Sequence, residues 1–134
     1  MSSPLAQPAP PSPLELEFEA VQRRFPGAVM RSEAGVTTVS VPGVALPEGW
    51  SKPATTIHFL VPAGYPYANP DCFNIDDDVR LSSGVLPHAA QLQAMPLVGS
   101  TLWFSWHLQR PWKPGRDNLT TWLGVCMRRL EDVR

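Results

Sequence analysis

The sequence has no long hydrophobic run, little net charge and only two cysteines. No apolar segment approaches the roughly 18 residues that a membrane-spanning helix needs. The amino-terminal stretch lacks the basic flank and apolar core of a secretory signal. A net charge of −1 over 134 residues gives no electrostatic basis for binding nucleic acid or an anionic membrane. We therefore expect a cytoplasmic protein with neither kind of partner.

The two cysteines, Cys72 and Cys126, lie far apart and do not show the spacing of a metal site. In a cytoplasmic protein they are predicted to be reduced thiols of the core, Cys72 in a strand and Cys126 in a helix. The acidic run "DDDVR" at residues 76–80 has no further carboxylates at chelating spacing, so it is interpreted as a solvated turn. The sequence predicts no metal and no cofactor.

Proline is the one residue type in excess, with 16 copies. Because proline fixes φ and removes a backbone donor, this number predicts a fold rich in loops. Residues 1–11, "MSSPLAQPAPP", have little to bury and are predicted to be a flexible tail. Residues 12–134 have the length of one domain with one core.

The apolar pattern predicts a helix at each end of this domain. The first helix starts with Ser12 as its cap and Pro13 in its first turn, and it ends before Pro26-Gly27. The last starts at about Asp117. Its apolar stripe comprises Leu119, Trp122, Leu123, Cys126 and Leu130.

Between the two helices the pattern first favours strands and then becomes irregular. From Gly27 to about Ile75 a period of two predicts four strands, of which "ATTIHFLVP" is the third and "DCFNI" the fourth. Residues 76–102 show no clean period and are interpreted as a long connection. The predicted fold class is α+β, with an N-terminal helix, a four-stranded antiparallel meander, an irregular segment and a C-terminal helix.

The stretch "TLWFSWHLQRPWKPGRDNLTTWL", residues 101–123, combines bulky aromatic side chains with residues that interrupt regular structure. Prolines and a glycine exclude an uninterrupted strand or helix. A plain loop would not need four large rings. The tryptophans are therefore predicted to pack this irregular segment against the sheet and the last helix; they are Trp103, Trp106, Trp112 and Trp122.

The order of elements and a series of motifs resemble the ubiquitin-conjugating (UBC) superfamily. Tyr65-Pro66, with Pro70 a few residues on, matches that family's step into its fourth strand, and Trp112-Lys113-Pro114 matches its Trp-x-Pro. The series "CFNI", "GVLP", "WFSWH" and "WKPGRDNL" is similar to a bacterial branch, prokaryotic family E. The resemblance covers roughly residues 14–134 and implies a UBC-like fold.

The chain departs from the superfamily at the catalytic position. It has no His-Pro-Asn, and no cysteine in the window where most members carry ubiquitin as a thioester. Ser105, seven residues before Trp112, stands near that place, and His107 would lie on the same side of an extended stretch. A serine carrier would need such a base. The alternative is that Ser105 bonds to the backbone and His107 braces the loop.

The same resemblance implies which other side chains support the site, namely Tyr65, Pro66, Trp103, Trp106, Trp112 and Pro114. Two further histidines are less suited to catalysis. His88 lies in the long connection and is predicted to be an exposed loop residue. His58 alternates with the apolar positions of the third strand and is predicted to face solvent or a partner.

The resemblance implies a component of a bacterial ubiquitin-like modification system. Its partners would be a ubiquitin-like modifier and the adenylating enzyme that activates it, and Ser105 could replace the usual cysteine as the carrier. An alternative is a scaffold of UBC fold that binds the modifier or the activating enzyme without catalysis. Another is a partner-binding α+β domain that shares only the shape. The sequence leaves open whether the protein is an enzyme.

Overall fold

The computed structural model describes residues 9–134, so the first eight residues of the predicted tail lie outside the described part of the chain. The described residues form an α+β domain. In chain order its elements are α1 (Pro13–Arg24), β1 (Val29–Glu33), β2 (Val36–Ala45), β3 (Ala54–Val61), β4 (Phe73–Asp76), β5 (Ala90–Met95), β6 (Gly99–Phe104) and α2 (Leu119–Glu131).

Capping residues in the sequence mark where both helices begin. The Ser12 side chain caps α1 by accepting a hydrogen bond from the Glu15 amide, with proline in the first turn. Asn118 caps α2 in a reciprocal capping box with Thr121. The predicted stripe of α2 is confirmed, since all five of its residues are buried. Neither described helix is long and apolar enough to span a membrane.

The first two strands form a hairpin whose turn suits its residues. Ala34 and Gly35 both have positive φ, 51° and 79°, which is the geometry of a two-residue hairpin turn. Farther along β2, the register with β3 shifts between Val41 and Val44. The interruption contains Pro42, which has no amide to donate to the ladder.

The sheet has six antiparallel strands, in the order β1-β2-β3-β4-β6-β5, so the predicted four-stranded meander is wrong. The two additional strands form a hairpin inside the region that the sequence predicts to be irregular. Strand β5, "AQLQAM", is an edge strand with mostly exposed side chains, so its burial does not alternate as it does in a half-buried strand. Strand β6 begins at Gly99, after a turn formed by residues 96–98.

One hydrophobic core joins the buried face of the sheet to the two helices. Phe73 and Phe104, which are partners across β4 and β6, stack at 4.8 Å between ring centroids. The helices contribute Phe18 and Val21 from α1 and the fully buried Trp122 from α2. The β5–β6 hairpin is therefore anchored in the centre of the domain through β6, although β5 itself is exposed.

Candidate functional site

Ser105 and His107 follow β6 directly, where the strand ladder continues for a short distance. The Ser105 amide donates to the Ala89 carbonyl at 2.9 Å, and the Cys72 amide donates to the Trp106 carbonyl at 2.9 Å. These two bonds fix the start of the irregular segment between the beginning of β4 and the beginning of β5. The end of β6 and the start of β4 therefore bring residues from two distant parts of the chain together.

His107 is paired with a carboxylate from the other side of this junction. Its Nδ1 lies 2.6 Å from Oδ1 of Asp71, and both side chains are more than half exposed. Ser105 and His107 both lie in the described part of the chain, and they are not hydrogen-bonded to each other. A carboxylate that accepts from one ring nitrogen fixes the tautomer and leaves the other nitrogen free to act as a base. The structure thus gives His107 an orienting partner that the sequence did not predict.

Cys72 lies beside this pair, and its predicted placement in the core is wrong. It precedes β4 instead of belonging to it, and it is only half-buried. Its sulfur, one His107 ring nitrogen and one Asp71 oxygen all lie within 4.8 Å of one another. Cys72 also has a φ of 61°, in the left-handed region that residues with a side chain seldom adopt. Such backbone conformations are concentrated at functional sites.

The ionisation of this thiol is controlled by its surroundings. Burial is the main cause that raises the pKa of Cys72 above its ordinary value, and the Asp71 carboxylate acts in the same direction. At neutral pH the group is therefore a thiol, which has to lose its proton to a base before it can attack or bind. His107 is the histidine that stands within reach.

A small depression opens from Cys72 onto the sheet. It has a volume of about 70 Å³ and admits only a narrow group. Strand β5 and the turn after it form one wall, and Trp103 of β6 and Leu60 of β3 contribute apolar surface. The hairpin that the sequence did not predict therefore supplies part of the candidate site. The sequence signal that could have predicted strand β5 was the alternation of Gln with apolar residues in "AQLQAM".

Tyr65 and Trp112, two of the predicted support residues, contact each other and join the irregular segment to both helices. The Trp112 indole donates to the Pro66 carbonyl at 2.8 Å, and its ring lies 6.1 Å from that of Tyr65. The Tyr65 hydroxyl donates to the Glu17 carboxylate of α1, which also accepts from the Leu119 amide of α2. Burial first, and then this hydrogen bond, raise the pKa of Tyr65 well above its usual range, so the phenol remains a donor.

Trp106 is held by a buried cation of α2. The Arg129 guanidinium lies 5.3 Å from the Trp106 ring and 4.9 Å from that of Phe104. Its donors bond to the backbone carbonyls of His88, Asp132 and Arg134. Burial lowers the pKa of Arg129, but the guanidinium stays charged. The three carbonyls and the two aromatic faces stabilise this buried charge. The contact ties the residue before His107 to the last helix.

Asp117 organises the turn that contains Pro114. Its buried carboxylate accepts two hydrogen bonds from Arg110, each of 2.7 Å, and one of 2.8 Å from the Lys113 amide. The Arg110 bond is the main reason that the pKa of Asp117 lies well below its ordinary value. The two parallel bonds from the Arg110 guanidinium to the Asp117 carboxylate, which we call the fork, close residues 110–117 into a fixed loop in front of α2.

The remaining candidates lie away from this junction. His58 is half-buried and its Nδ1 lies 2.7 Å from the Ser40 hydroxyl. His88 is exposed, as predicted. In the acidic run, Asp76 and Asp78 both form ion pairs with Lys52, which explains the local concentration of charge without a metal.

A second, larger cavity of about 420 Å³ lies between residues 106–110 and the C-terminal half of α2. Its lining includes Arg110 and Arg128 but no thiol or hydroxyl group. It therefore offers neither of the side-chain types that could carry a modifier as a thioester or an oxyester. The Asp71, Cys72, Ser105 and His107 side chains, which we call the junction site, are the better candidate for chemistry.

A comparison with protein families gives one match over most of the chain. The model of the prokaryotic E2 family E, a group of ubiquitin-conjugating-like proteins, matches residues 28–133. No curated protein sequence and no solved structure shows significant similarity to the chain.

Proposed function

The chain belongs to prokaryotic E2 family E and so has a ubiquitin-conjugating-like role in a prokaryotic system, and on this premise we propose that it receives an activated ubiquitin-like modifier at the junction site. The observation that carries the proposal is the pairing of His107 with Asp71 beside a half-buried thiol. Its partners are the modifier and the adenylating enzyme that activates it.

Two side chains of the junction site are suitable carriers. Cys72 is favoured because its sulfur lies within 4.8 Å of a His107 nitrogen, and because a thiol is a far better nucleophile near neutral pH than a hydroxyl. Ser105 is favoured by its position before Trp112, although its hydroxyl forms no hydrogen bond with His107 in the described residues. We propose Cys72 as the carrier and keep Ser105 as the second candidate.

The proposed step is an acyl transfer. The Cys72 sulfur attacks the carbonyl carbon at the modifier's C-terminus, a C–S bond forms, and the bond to the leaving group of the activated modifier breaks. His107 takes the thiol proton, while Asp71 holds the imidazole and stabilises its charged form. The depression beside Cys72 is narrow, so the C-terminal residues of the modifier that enter it must have small side chains.

The test incubates the protein with ATP and with a modifier and adenylating enzyme encoded by the genes that neighbour its own. A Cys72 thioester is cleaved by excess thiol, whereas a Ser105 oxyester resists thiol and is cleaved by base. We expect Cys72→Ala to abolish the thiol-sensitive adduct, and His107→Gln to slow its formation by about 10²–10⁴-fold, as for loss of a general base. Cys126→Ala is the matched control, since that thiol is fully buried.

Other outcomes would separate the alternatives. A thiol-resistant adduct that disappears in Ser105→Ala and survives in Cys72→Ala would assign the carrier role to Ser105. Binding to the adenylating enzyme with no adduct in any variant would favour a non-catalytic scaffold. The raised pKa of Cys72 supports the scaffold function. The thiolate is the reactive form of a cysteine, and a raised pKa lowers the fraction of thiolate at neutral pH.

A further inference from the structure

The junction site contains one sulfur, one nitrogen and one oxygen donor from three neighbouring side chains. The donor atoms of Asp71, Cys72 and His107 lie within 4.8 Å of one another, and no other such group of three occurs in the part of the chain that the structure describes. Thiolate and imidazole are ligands of zinc and related transition metals, whereas Mg²⁺ and Ca²⁺ prefer oxygen ligands alone. We propose that these three side chains bind one Zn²⁺ ion.

The distances allow closure around such an ion with small movements. Tetrahedral zinc with bonds of about 2.0–2.3 Å places its donor atoms about 3.3–3.6 Å apart. The Asp71 oxygen and His107 nitrogen are 2.6 Å apart, so they separate by about 1 Å to admit the ion. The sulfur, which lies within 4.8 Å of both atoms, approaches by at most about 1.2 Å. Both partners of the 2.6 Å pair are exposed and can rotate without disturbing the core.

The backbone holds the ligands in place before the ion arrives. Asp71 and Cys72 are consecutive, and the Cys72 amide is fixed to the Trp106 carbonyl next to His107. The left-handed conformation of Cys72 is part of the same rigid junction. Because the protein supplies three ligands, the fourth position is left to water, which is the arrangement of an open zinc site.

Zinc binding has a defined proton balance. The thiol loses its proton to solvent when the sulfur coordinates, because the thiolate is the form that binds the metal. The proton shared between Asp71 and His107 moves to the other ring nitrogen if the ion takes Nδ1. One proton is therefore released for each Zn²⁺ bound.

A bound ion would also regulate the site. This consequence rests on the proposed function, since a thiolate bound to zinc is a weaker nucleophile than a free thiolate and an imidazole nitrogen that coordinates zinc cannot act as the base. Zinc occupancy should then suppress modifier transfer through Cys72. Binding of the metal itself does not depend on that function.

The test uses the full chain, freed of metal by a chelator and titrated with Co²⁺ as a spectroscopic probe. We expect one Co²⁺ per chain, a thiolate-to-cobalt charge-transfer band, and displacement of Co²⁺ by an equal amount of Zn²⁺. The band should disappear in Cys72→Ser. In His107→Gln the affinity should fall by more than the roughly 10–100-fold that loss of an outer-shell partner costs. Circular dichroism would establish that each variant is folded.

Two control variants test whether binding is specific. Cys126→Ala removes the buried thiol and Asp78→Asn removes a carboxylate of the Lys52 cluster, and both should retain the band. Absence of a charge-transfer band in the parent protein, or a band that persists in Cys72→Ser, would overturn the proposal. So would a metal affinity that is equal in the parent and in His107→Gln.

The regulatory consequence has a separate readout. The thiol-sensitive adduct should form in the presence of chelator, disappear when one equivalent of Zn²⁺ is added, and return when the chelator is restored. An adduct that persists at saturating Zn²⁺ would refute the regulation. If no adduct forms even with chelator, the proposed function fails while the cobalt spectrum still decides the metal site.

Discussion

The two cysteines of the chain occupy opposite environments. Cys126 is fully buried in α2, and burial raises the pKa of its thiol far above the ordinary value. Cys72 is half-buried at the edge of a surface depression, and the pKa of its thiol is raised as well. Exposure therefore distinguishes the two thiols, and only Cys72 is accessible to a reagent in the folded protein.

This difference predicts the pattern of alkylation. Iodoacetamide should modify Cys72 and leave Cys126 unmodified in the native protein, which mass spectrometry of the digested chain can measure. The rate at Cys72 should rise with pH through a midpoint above 9.0, the ordinary thiol value, because the thiolate is the reactive form and its pKa is raised. Added Zn²⁺ should protect Cys72. A midpoint below 9.0 would show that His107 and the backbone stabilise the thiolate more than burial opposes it.

At the scale of elements, residues 110–117 connect the junction site to α2 through one buried carboxylate. Asp117 is almost fully buried and receives the fork from Arg110, which is itself half exposed. The turn brings Trp112 onto the Pro66 carbonyl, so the loop before β4 and the loop before α2 hold each other. Loss of the fork should loosen both loops.

Asp117 gives this loop a definite pH dependence. Its pKa is lowered in the folded state, so it contributes stability that is complete above the ordinary carboxyl pKa of 3.8 and is lost as the pH falls from there through the lower folded-state pKa. Asp117→Asn should lower the Tm at neutral pH, and the gap between variant and parent should narrow in acid. Thermal melts from pH 7 to pH 2 measure this. A gap that stays constant would assign the effect to packing, and Glu19→Gln, at an exposed carboxylate of α1, is the control.

At the scale of the whole molecule, residues 9–134 form a six-stranded sheet with two edges, β1 and β5, which shares one core with two helices. Strand β4 lies between β3 and β6, whereas β5 pairs only with β6. Leu92 of β5 is 55% exposed, so few apolar contacts hold that strand in place. The wall of the site that β5 supplies is therefore the least protected part of the sheet.

Amide hydrogen exchange should reflect this arrangement. The amides of β4 should exchange near the rate set by global unfolding, while those of β5 should exchange faster through local opening. Exchange followed by NMR or mass spectrometry would measure both strands in one experiment. Equal protection of β4 and β5 would contradict the expectation and would show that β5 is covered in solution, as it would be by pairing with another chain.

The sequence by itself determined the features that depend on neighbours a few residues apart. Ser12 caps α1, Ala34-Gly35 turns the first hairpin, and the stripe of α2 faces the core, because capping, turn geometry and helical period are local. It also indicated the family, through motifs that follow one another in a fixed order.

Only the tertiary structure decided the β5–β6 hairpin and the composition of the junction site. Strand β5 is exposed, so its place depends on hydrogen bonds to β6 and not on an apolar pattern. Asp71 and His107 are 36 residues apart, and their contact follows from the register in which β4 pairs with β6. A register is set by long-range backbone pairing, and a shift of one residue would turn every side chain to the opposite face.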